Sequence, residues 1–392
     1  MCLTMRASLV LRLPEDVLAR VLYMLPFAHD VALAGFTCRA FRAAAKHALA
    51  LRPFSPAVRR LPAPPPFRDN PARRVPQLNA VGVLANGHIV AAGTQGVVNV
   101  WRSGARVLCG RCYREDVEFL AVLSDGQHFV VAHRSGEHRD RLVLWKEDCT
   151  VVRQSSHGEA LHDKYVALVV GVLRIGGENG ACVTALAALP ENRFVVVVSS
   201  GAFFFCTVDP PACTKVVPIG FRPTTGPGAV TPDGKHFVNA SFTEYPRIKV
   251  WRFFDDDDGH PLPPCSHAVV PMPSSILGTA VATMPDSKRF LVGCSNGQIK
   301  LCDINGRLLR CIEGLHSLCV KSIVPLPDNK HVLSSDSTIR LFDVATNEVL
   351  RNFHHHKETV SGFALLADGR RFASASFDGT VALVEHGLLL QP

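Results

Sequence analysis

The sequence contains no long apolar run. Its longest apolar stretch, Val166 to Leu173, is interrupted by Gly171 and falls far short of the roughly 18 to 20 residues that cross a bilayer. Charged residues are also scarce, at 19% of the chain against 47% for apolar residues. This composition excludes an intrinsically disordered chain, and the short apolar runs argue against a membrane protein. The 392 residues can therefore bury a sizeable folded core.

The N-terminus lacks the features of a secretory signal. Arg12 interrupts the apolar stretch from Leu9 to Leu13, and no small-residue cleavage site follows it. The 13 cysteines are odd in number and several lie within apolar strand patterns, which indicates reduced, buried thiols rather than a disulfide framework. We therefore expect an intracellular protein, either cytoplasmic or nuclear. The cysteines in strand patterns are Cys206, Cys294, Cys302 and Cys319.

Positive charge is concentrated at the front of the chain. Residues 1–76 hold 12 Lys or Arg and 4 Asp or Glu, and the totals of 42 and 34 leave 30 of each sign for the rest. The later part is therefore neutral and gives no support for a nucleic-acid partner there. One alternative stays open, namely that the basic residues 1–76 bind nucleic acid.

One short apolar strand pattern recurs seven times. Its copies end at intervals of about 40 to 60 residues, which is the period of propeller or solenoid repeats. Each copy is preceded by an apolar stretch, a tight polar turn and a second apolar stretch. The copies are VVNVW ending at Trp101, RLVLW at Trp145, AFFFC at Cys206, RIKVW at Trp251, QIKLC at Cys302, TIRLF at Phe342 and TVALV at Val384.

The polar turns before these strands share a chemistry. Asn-Gly and Asp-Gly tolerate the positive φ that a tight hairpin connection requires, so each turn is predicted to join two antiparallel strands. Each repeat is therefore predicted to be a small antiparallel sheet. The turns are Asn86-Gly87, Asp125-Gly126, Glu191-Asn192, Asp233-Gly234, Asp286-Ser287, Asp328-Asn329 and Asp368-Gly369.

The residues before the repeats follow a helical period. Leu18, Val21, Leu22 and Leu25 lie at i, i+3, i+4 and i+7, which places them on one face of a helix. Two more short helices are predicted before Pro53. Three short helices in about 45 residues make a marginal core, so the apolar stripe needs cover from the repeats or from another protein.

Residues 13–45 resemble an F-box. A Leu-Pro pair opens the first helix, apolar positions follow, and a Phe, Cys, Arg, Phe, Arg series comes at Phe36, Cys38, Arg39, Phe41 and Arg42. The resemblance implies docking on a Skp-type adaptor of a cullin complex. An ordinary three-helix cap on the repeats is the alternative. The adaptor contacts implied are Leu13, Pro14, Leu18, Val21, Leu22, Leu25, Pro26, Val31 and Leu33.

Residues 77–392 are similar to WD repeats, in which a His, a Ser or Thr and a turn Asp hydrogen-bond inside each blade. The matching residues are His316, Ser334 and Asp336 in repeat six, and His356, Ser374 or Ser376, and Asp378 in repeat seven. The Trp that normally completes the network is replaced by Phe342 and Val384.

The two resemblances define the predicted architecture. The fold class is mainly β, with a seven-bladed WD-repeat β-propeller preceded by a small three-helix F-box-like domain. The F-box-like domain spans residues 9–54 and the propeller spans residues 77–392. Residues 55–76, rich in Pro and Arg, are predicted to be an extended linker.

No enzyme motif is present in the sequence. There is no nucleophile elbow, no H-E-x-x-H and no P-loop, so we expect no catalysis and no cofactor. The pair Cys109 and Cys112 lacks the second pair that a structural zinc needs. In the run from His354 to His356, the last residue belongs to the repeat pattern and the other two are expected to face solvent. We therefore expect no metal.

The combined interpretation is a substrate-recognition subunit of a cullin-based ubiquitin ligase, whose propeller binds a protein substrate. The alternative is a ligase-independent scaffold for protein–protein interaction. Phosphopeptide recognition would require several arginines on one rim, and the sequence shows no such convergence. The substrate-binding candidates are Thr94, Ser295, Ser335 and Phe377 before blade turns, with Arg134 and Arg139 in an enlarged loop.

Overall fold

The computed structural model describes residues 58–61, 76–102, 105–111, 115–134, 141–146, 151–153, 182–209, 212–216, 226–241, 247–253 and 264–387. In these ranges the chain forms 28 β-strands and one 3-10 turn at Thr94–Gly96. The strands build seven four-stranded sheets, numbered here as blades one to seven. The predicted F-box-like domain, residues 9–54, lies outside the described residues.

The strand bounds follow the chain from the front. Strand β1 is Val58–Arg60. Blade one contains β2 (Leu78–Val83), β3 (Ile89–Gly93), β4 (Val97–Arg102) and β5 (Ala105–Arg111). Blade two contains β6 (Asp116–Val122), β7 (His128–Arg134), β8 (Arg141–Lys146) and β9 (Val151–Arg153). Blade three contains β10 (Val183–Leu189), β11 (Arg193–Val198), β12 (Phe203–Thr207) and β13 (Ala212–Val216).

The later blades have the same order. Blade four contains β14 (Gly228–Val230), β15 (His236–Ser241), β16 (Arg247–Arg252) and β17 (Cys265–Pro271). Blade five contains β18 (Gly278–Thr283), β19 (Arg289–Cys294), β20 (Ile299–Asp303) and β21 (Leu308–Ile312). Blade six contains β22 (Ser322–Pro325), β23 (His331–Ser335), β24 (Ile339–Asp343) and β25 (Val349–Phe353). Blade seven contains β26 (Val360–Leu365), β27 (Arg371–Ser376) and β28 (Val381–Glu385), with β1 as its fourth strand.

The seven recurrent apolar strands are the third strands of their blades, as the repeat pattern predicts. They are rich in β-branched and aromatic residues, which suit a pleated strand packed on both faces. The first strand of each blade contacts the first strand of the next, and β26 contacts β2. The blades therefore close into a seven-bladed β-propeller, and mainly β is confirmed as the fold class.

The ring is closed by a segment assigned to the linker from the sequence. Strand β1 adds to the outer edge of β28, and the Leu61 N–H donates to the Val381 carbonyl oxygen at 2.9 Å. The Leu61 side chain is only 3% exposed and packs among residues of blades one and seven. The Arg60 guanidinium donates to the His355 carbonyl oxygen at 2.9 Å. Residues 58–61 are thus part of the propeller, whereas the repeat pattern alone places its start near Gln77.

The hairpin turns have the backbone that their residues predict. The second residue of each turn has a positive φ, from 55° at Asn192 and Ser287 to 78° at Gly87. Side chains at these positions also join neighbouring blades. The Asn329 Oδ1 atom accepts a hydrogen bond from the Asp286 N–H at 2.8 Å. Asn192 accepts the Asp125 N–H in the same way, at 2.8 Å.

The core is divided into layers between neighbouring blades. Trp101 of blade one packs with Ala373 of blade seven. Between blades three and four, the Phe203 ring centroid lies 5.5 Å from that of Phe237 and 5.8 Å from that of Trp251. Interdigitated layers of this kind hold each blade against both neighbours, so the loops at the blade ends rest on a rigid base.

The cysteine prediction holds for most of the strand positions. Cys294 and Cys302 are free and fully buried, and burial raises their pKa values to about 11 and about 12. Cys319 is free and half-buried. Cys206 is disulfide-bonded, so the prediction of a reduced thiol is wrong at that position.

Candidate functional site

The loops that can bind a partner lie at one end of the blades. We define the upper face as the end where the second strand turns into the third and where the chain passes from one blade to the next. Thr94, Ser295 and Phe377 directly follow the second strands of blades one, five and seven, and Ser335 is the last residue of the second strand of blade six. They lie at the upper ends of second strands in different blades, so the structure distributes them around the ring rather than gathering them into one cluster.

Two of these residues link the strands beneath the loops. The Thr94 hydroxyl accepts a hydrogen bond from the Gln77 N–H at 2.9 Å, and the Thr94 N–H donates to the Gln77 carbonyl oxygen at 2.8 Å. Ser295 makes the same pair of bonds with Leu277, at 3.1 and 2.8 Å. Ser199, which the sequence reasoning missed, also repeats this arrangement. One of the two acceptor sites of each hydroxyl is thus used by the blade itself.

The other two residues differ in exposure. Ser335 is fully buried, and its hydroxyl donates to the Val360 carbonyl oxygen at 3.0 Å. The expectation that its side chain reaches the surface is therefore wrong. Phe377 is half-buried, and its N–H donates to the Thr359 carbonyl oxygen at 3.0 Å.

The enlarged loop of blade two begins later than the sequence predicts. His133 and Arg134 belong to strand β7, and His133 is buried. The Arg134 guanidinium pairs with the Glu118 carboxylate on the neighbouring strand. Residues 135–140, including Arg139, lie outside the described residues. The nine adaptor-contact residues, Leu13 to Leu33, also lie outside them.

A buried polar network supports the upper face of blade six. His316 lies between β21 and β22, Ser334 lies in β23, and Asp336 follows it. The His316 Nε2 atom is 2.6 Å from the Ser334 hydroxyl. The Arg340 guanidinium of β24 is 2.7 Å from His316 Nδ1 and 3.0 Å from the Asp336 carboxylate. This confirms the three residues assigned from the repeat pattern and adds Arg340 to them.

The His316 Nδ1 atom has two neighbours of opposite character. The Arg340 guanidinium, 2.7 Å away, can only donate to it, whereas the Asp336 carboxylate, 3.4 Å away, can only accept from it. Burial lowers the pKa of His316 to about 4, despite the nearby carboxylate of Asp336. Burial would raise the pKa of Asp336, but the Thr338 N–H and the two basic neighbours lower it below its usual value. At neutral pH the imidazole is therefore uncharged and the carboxylate is ionised.

Blade seven contains a second such network. The His356 Nε2 atom is 2.8 Å from the Ser374 hydroxyl, and its Nδ1 atom is 3.2 Å from the Asp378 carboxylate. Ser374 is thus the partner of His356. Ser376, the other possibility left open by the sequence, donates to the Thr359 carbonyl oxygen at 3.0 Å instead.

His355 corrects one sequence expectation. It is only 7% exposed, and its Nε2 atom is 3.0 Å from the Ser374 hydroxyl. Burial, together with the nearby His356 and Arg60, lowers the pKa of His355 to about 3. The burial of His355 could have been predicted from the sequence. The alternation of buried and exposed side chains in β25 continues beyond Phe353, and it places His355 on the buried side. Arg340 carried no such signal, since its contacts depend on two residues from other segments.

These networks tie the loops of the upper face to the strands beneath them. Within the described ranges, no group of three His, Cys, Asp or Glu side chains is arranged to hold a metal ion. In the same part of the chain, no helix has the length and apolarity needed to span a bilayer. His316 and His355 are uncharged at neutral pH and hydrogen-bond with Ser334 and Ser374. These networks therefore support the loops of the upper face.

The family comparison agrees with the fold. Residues 307–343 and 347–384 match the family model described as WD domain, G-beta repeat. The first match runs from the outer strand of blade five through the third strand of blade six. The second match runs in the same way from the outer strand of blade six through the third strand of blade seven. Each sequence repeat therefore ties two blades together. The chain carries WD40 repeats in a seven-bladed β-propeller, an architecture that binds protein partners and generally serves as a non-catalytic scaffold.

Proposed function

We propose that this chain is the substrate-recognition subunit of a cullin-based ubiquitin ligase. Residues 9–54 dock on a Skp-type adaptor, and the propeller holds a protein substrate. The supporting observation is the combination of an F-box-like apolar stripe, Leu18 to Leu25, with a WD-repeat propeller later in the same chain. The adaptor contact is a helix-in-groove interaction, in which leucines at helical spacing enter an apolar groove.

The chain would contribute to ubiquitin transfer by position rather than by chemistry. The partner subunits carry the reactive groups, and this chain brings the substrate close to them in a defined orientation. A rigid receptor suits that role, because flexible loops lose more conformational entropy when they bind. Buried networks such as His316–Ser334 hold the loop bases of the propeller in place.

Adaptor capture tests the proposal. We compare the parent with Leu18→Ala/Leu22→Ala, and expect the variant to retain less than about a tenth of the bound adaptor, because truncating central leucines costs roughly 2 to 4 kcal/mol. Leu308→Ala/Leu309→Ala is the matched control, since these two leucines lie on the exposed outer strand β21. Equal capture by both variants and the parent would contradict the ligase role and favour the ligase-independent scaffold.

A further inference from the structure

One cysteine of blade three differs from the other described cysteines. Cys206, in strand β12, takes part in a disulfide bond and is fully buried. A disulfide framework would pair most of the cysteines, whereas a single disulfide among free thiols is typical of a redox-sensing site. Six other described cysteines are free thiols, namely Cys182, Cys265, Cys294, Cys302, Cys311 and Cys319.

The backbone register of blade three indicates the partner of Cys206. In the pairing of β12 with β13, Cys213 lies directly opposite Cys206. Residues directly opposite each other in an antiparallel pair have Cα atoms about 4.5 or 5.5 Å apart, and disulfides join Cα atoms about 4.4 to 6.8 Å apart. Either kind of opposite pair thus meets the span of a disulfide. The one other described cysteine outside the free thiols, Cys109, lies in strand β5 of blade one.

The stability that this bond could add is a weak reason for its presence. A disulfide stabilises a protein mainly by restricting the unfolded chain, and the effect grows with the number of residues enclosed. This pair encloses only the end of β12 (Phe203–Thr207), the start of β13 (Ala212–Val216) and the short connection between them. Its effect on the unfolded chain is therefore near the lower end of the usual range.

Strand β13 can open without disturbing the rest of the blade. It is the outermost strand of its sheet, so its hydrogen-bonded neighbour among the described strands is β12 alone. It has five residues, and Thr214, next to Cys213, is exposed. Short edge strands open locally at a much lower free energy than the whole protein unfolds. Such opening gives a thiol reagent access to a bond whose Cys206 half is buried.

The surroundings of Cys206 also accept a reduced thiol. Cys206 belongs to the core layer between blades two and three, in one cluster with Leu144 and Val196. A free cysteine behaves as a small hydrophobic side chain, so a thiol suits this apolar layer. Cys294 and Cys302 are free thiols fully buried in the layer between blades four and five. Both redox states of Cys206 are therefore compatible with a closed propeller.

We propose that Cys206 and Cys213 form a reversible thiol–disulfide switch, which fastens the outer strand of blade three when oxidised and releases it when reduced. In the reduction, a dithiol attacks the Sγ–Sγ bond, supplies two electrons and two protons to give two cysteine thiols, and itself becomes a disulfide. Oxidised glutathione reverses the step, because it accepts two electrons and two protons from the thiols and leaves as two molecules of reduced glutathione. This switch is independent of the proposed ligase role, so either one can fail alone.

Peptide mapping identifies the partner of Cys206. The full-length protein is alkylated without reduction and digested with trypsin, which leaves residues 194–215 as one peptide because no Lys or Arg interrupts them. Mild acid then cleaves the bond between Asp209 and Pro210, which lies between the two cysteines. We expect the halves to stay joined until a reductant is added. Halves that separate, or a Cys206 peptide joined to any other cysteine, would overturn the pairing.

Glutathione mixtures and hydrogen exchange test the switch. The oxidised fraction of the same peptide is measured across ratios of reduced to oxidised glutathione, and we expect it to pass from nearly all to nearly none. Amide exchange in Ala212–Val216 should be about tenfold or more faster in the reduced protein than in the oxidised one. In Cys213→Ser it should be fast under both conditions. The matched control, Cys265→Ser, removes a free thiol from the outer strand of blade four and should respond as the parent does.

Two results would overturn the switch. One is a pair that keeps the same redox state in every glutathione mixture while the protein is folded, since such a pair is a fixed link or a fixed dithiol. The other is exchange in β13 that does not differ between the oxidised and the reduced protein. Reduction of the parent needs no substitution, so this second comparison stands even if Cys213→Ser does not fold.

Discussion

The His316 Nε2 atom and the Ser334 hydroxyl share a hydrogen bond of 2.6 Å inside blade six. His356 and Ser374 repeat this relationship in blade seven at 2.8 Å. WD repeats normally place a Trp at the end of the third strand to complete the network, and this chain has Phe342 in blade six. In that blade Arg340 joins the network from the same strand, so the histidine is held at both ring nitrogens.

Removing the hydroxyl of Ser334 should destabilise the propeller. Ser334→Ala leaves the buried His316 Nε2 atom without its hydrogen-bond partner, which costs about 1 to 3 kcal/mol in the free energy of unfolding. Urea unfolding followed by tryptophan fluorescence measures the loss. Ser337→Ala, in the exposed turn nearby, is the control and should have a stability within about 0.5 kcal/mol of the parent. Equal stability of the two variants would show that the hydrogen bond contributes nothing measurable.

Stability should fall as the pH is lowered from about 6.5 to about 4. His316 has a pKa of about 4 in the folded protein and an ordinary pKa of 6.5 in the unfolded chain, so between these values the unfolded chain binds the extra proton. The contribution of uncharged His316 to the free energy of unfolding amounts to roughly 3 kcal/mol. It is fully present above pH 6.5 and is lost progressively as the pH falls to 4. The lowered pKa of Asp336 adds a further loss only below its usual value of 3.8.

A histidine variant isolates this effect. The change in unfolding free energy between pH 6.5 and pH 4 should be smaller in His316→Gln than in the parent, and unaltered in His354→Gln, whose histidine is exposed. Identical pH profiles for all three proteins would mean that His316 titrates normally in the folded state.

Closure of the ring should depend on Leu61. The side chain is 3% exposed between blades one and seven, so Leu61→Ala should cost about 2 to 4 kcal/mol. Trp101 packs in the same cluster, and its fluorescence reports on the change during chemical unfolding. Val58→Ala is the control, because Val58 is 38% exposed in strand β1. If Leu61→Ala unfolds at the same denaturant concentration as this control, β1 does not hold the ring closed.

Two variants of Asn329 distinguish the stability contributed by its hydrogen bond between blades five and six from the stability contributed by the backbone geometry of its turn. Asn329→Gly keeps the positive φ of 57° available but removes the acceptor for the Asp286 N–H, at a cost of about 1 kcal/mol. Asn329→Ala also forces a Cβ into the left-handed region and should cost about 1 to 2 kcal/mol more. Thermal unfolding of the two variants ranks these effects. This order would be contradicted if Asn329→Ala were more stable than Asn329→Gly.

Several features followed from residues close together in the chain. The hairpin turns, such as Asp328-Asn329, lie where their chemistry placed them, because positive φ is a local property of the residue. The pairing of His316 with Ser334 followed from the resemblance to WD repeats, whose members lie within one repeat. The burial of Ser335 did not, since it depends on Val360 of the next blade. The adaptor contacts at Leu18 and its neighbours stay predictions.

The sequence by itself determined the number of blades and the third strand of each, because strand period and turn chemistry are encoded within about ten residues. Only the tertiary structure decided which strand closes the ring. Strand β1 has only three residues, too short for a period, and its place depends on contacts such as that of Arg60 with His355, which lie far apart in the chain. Such pairings arise when the ends of the ring meet, because only then does Leu61 have an apolar site to enter.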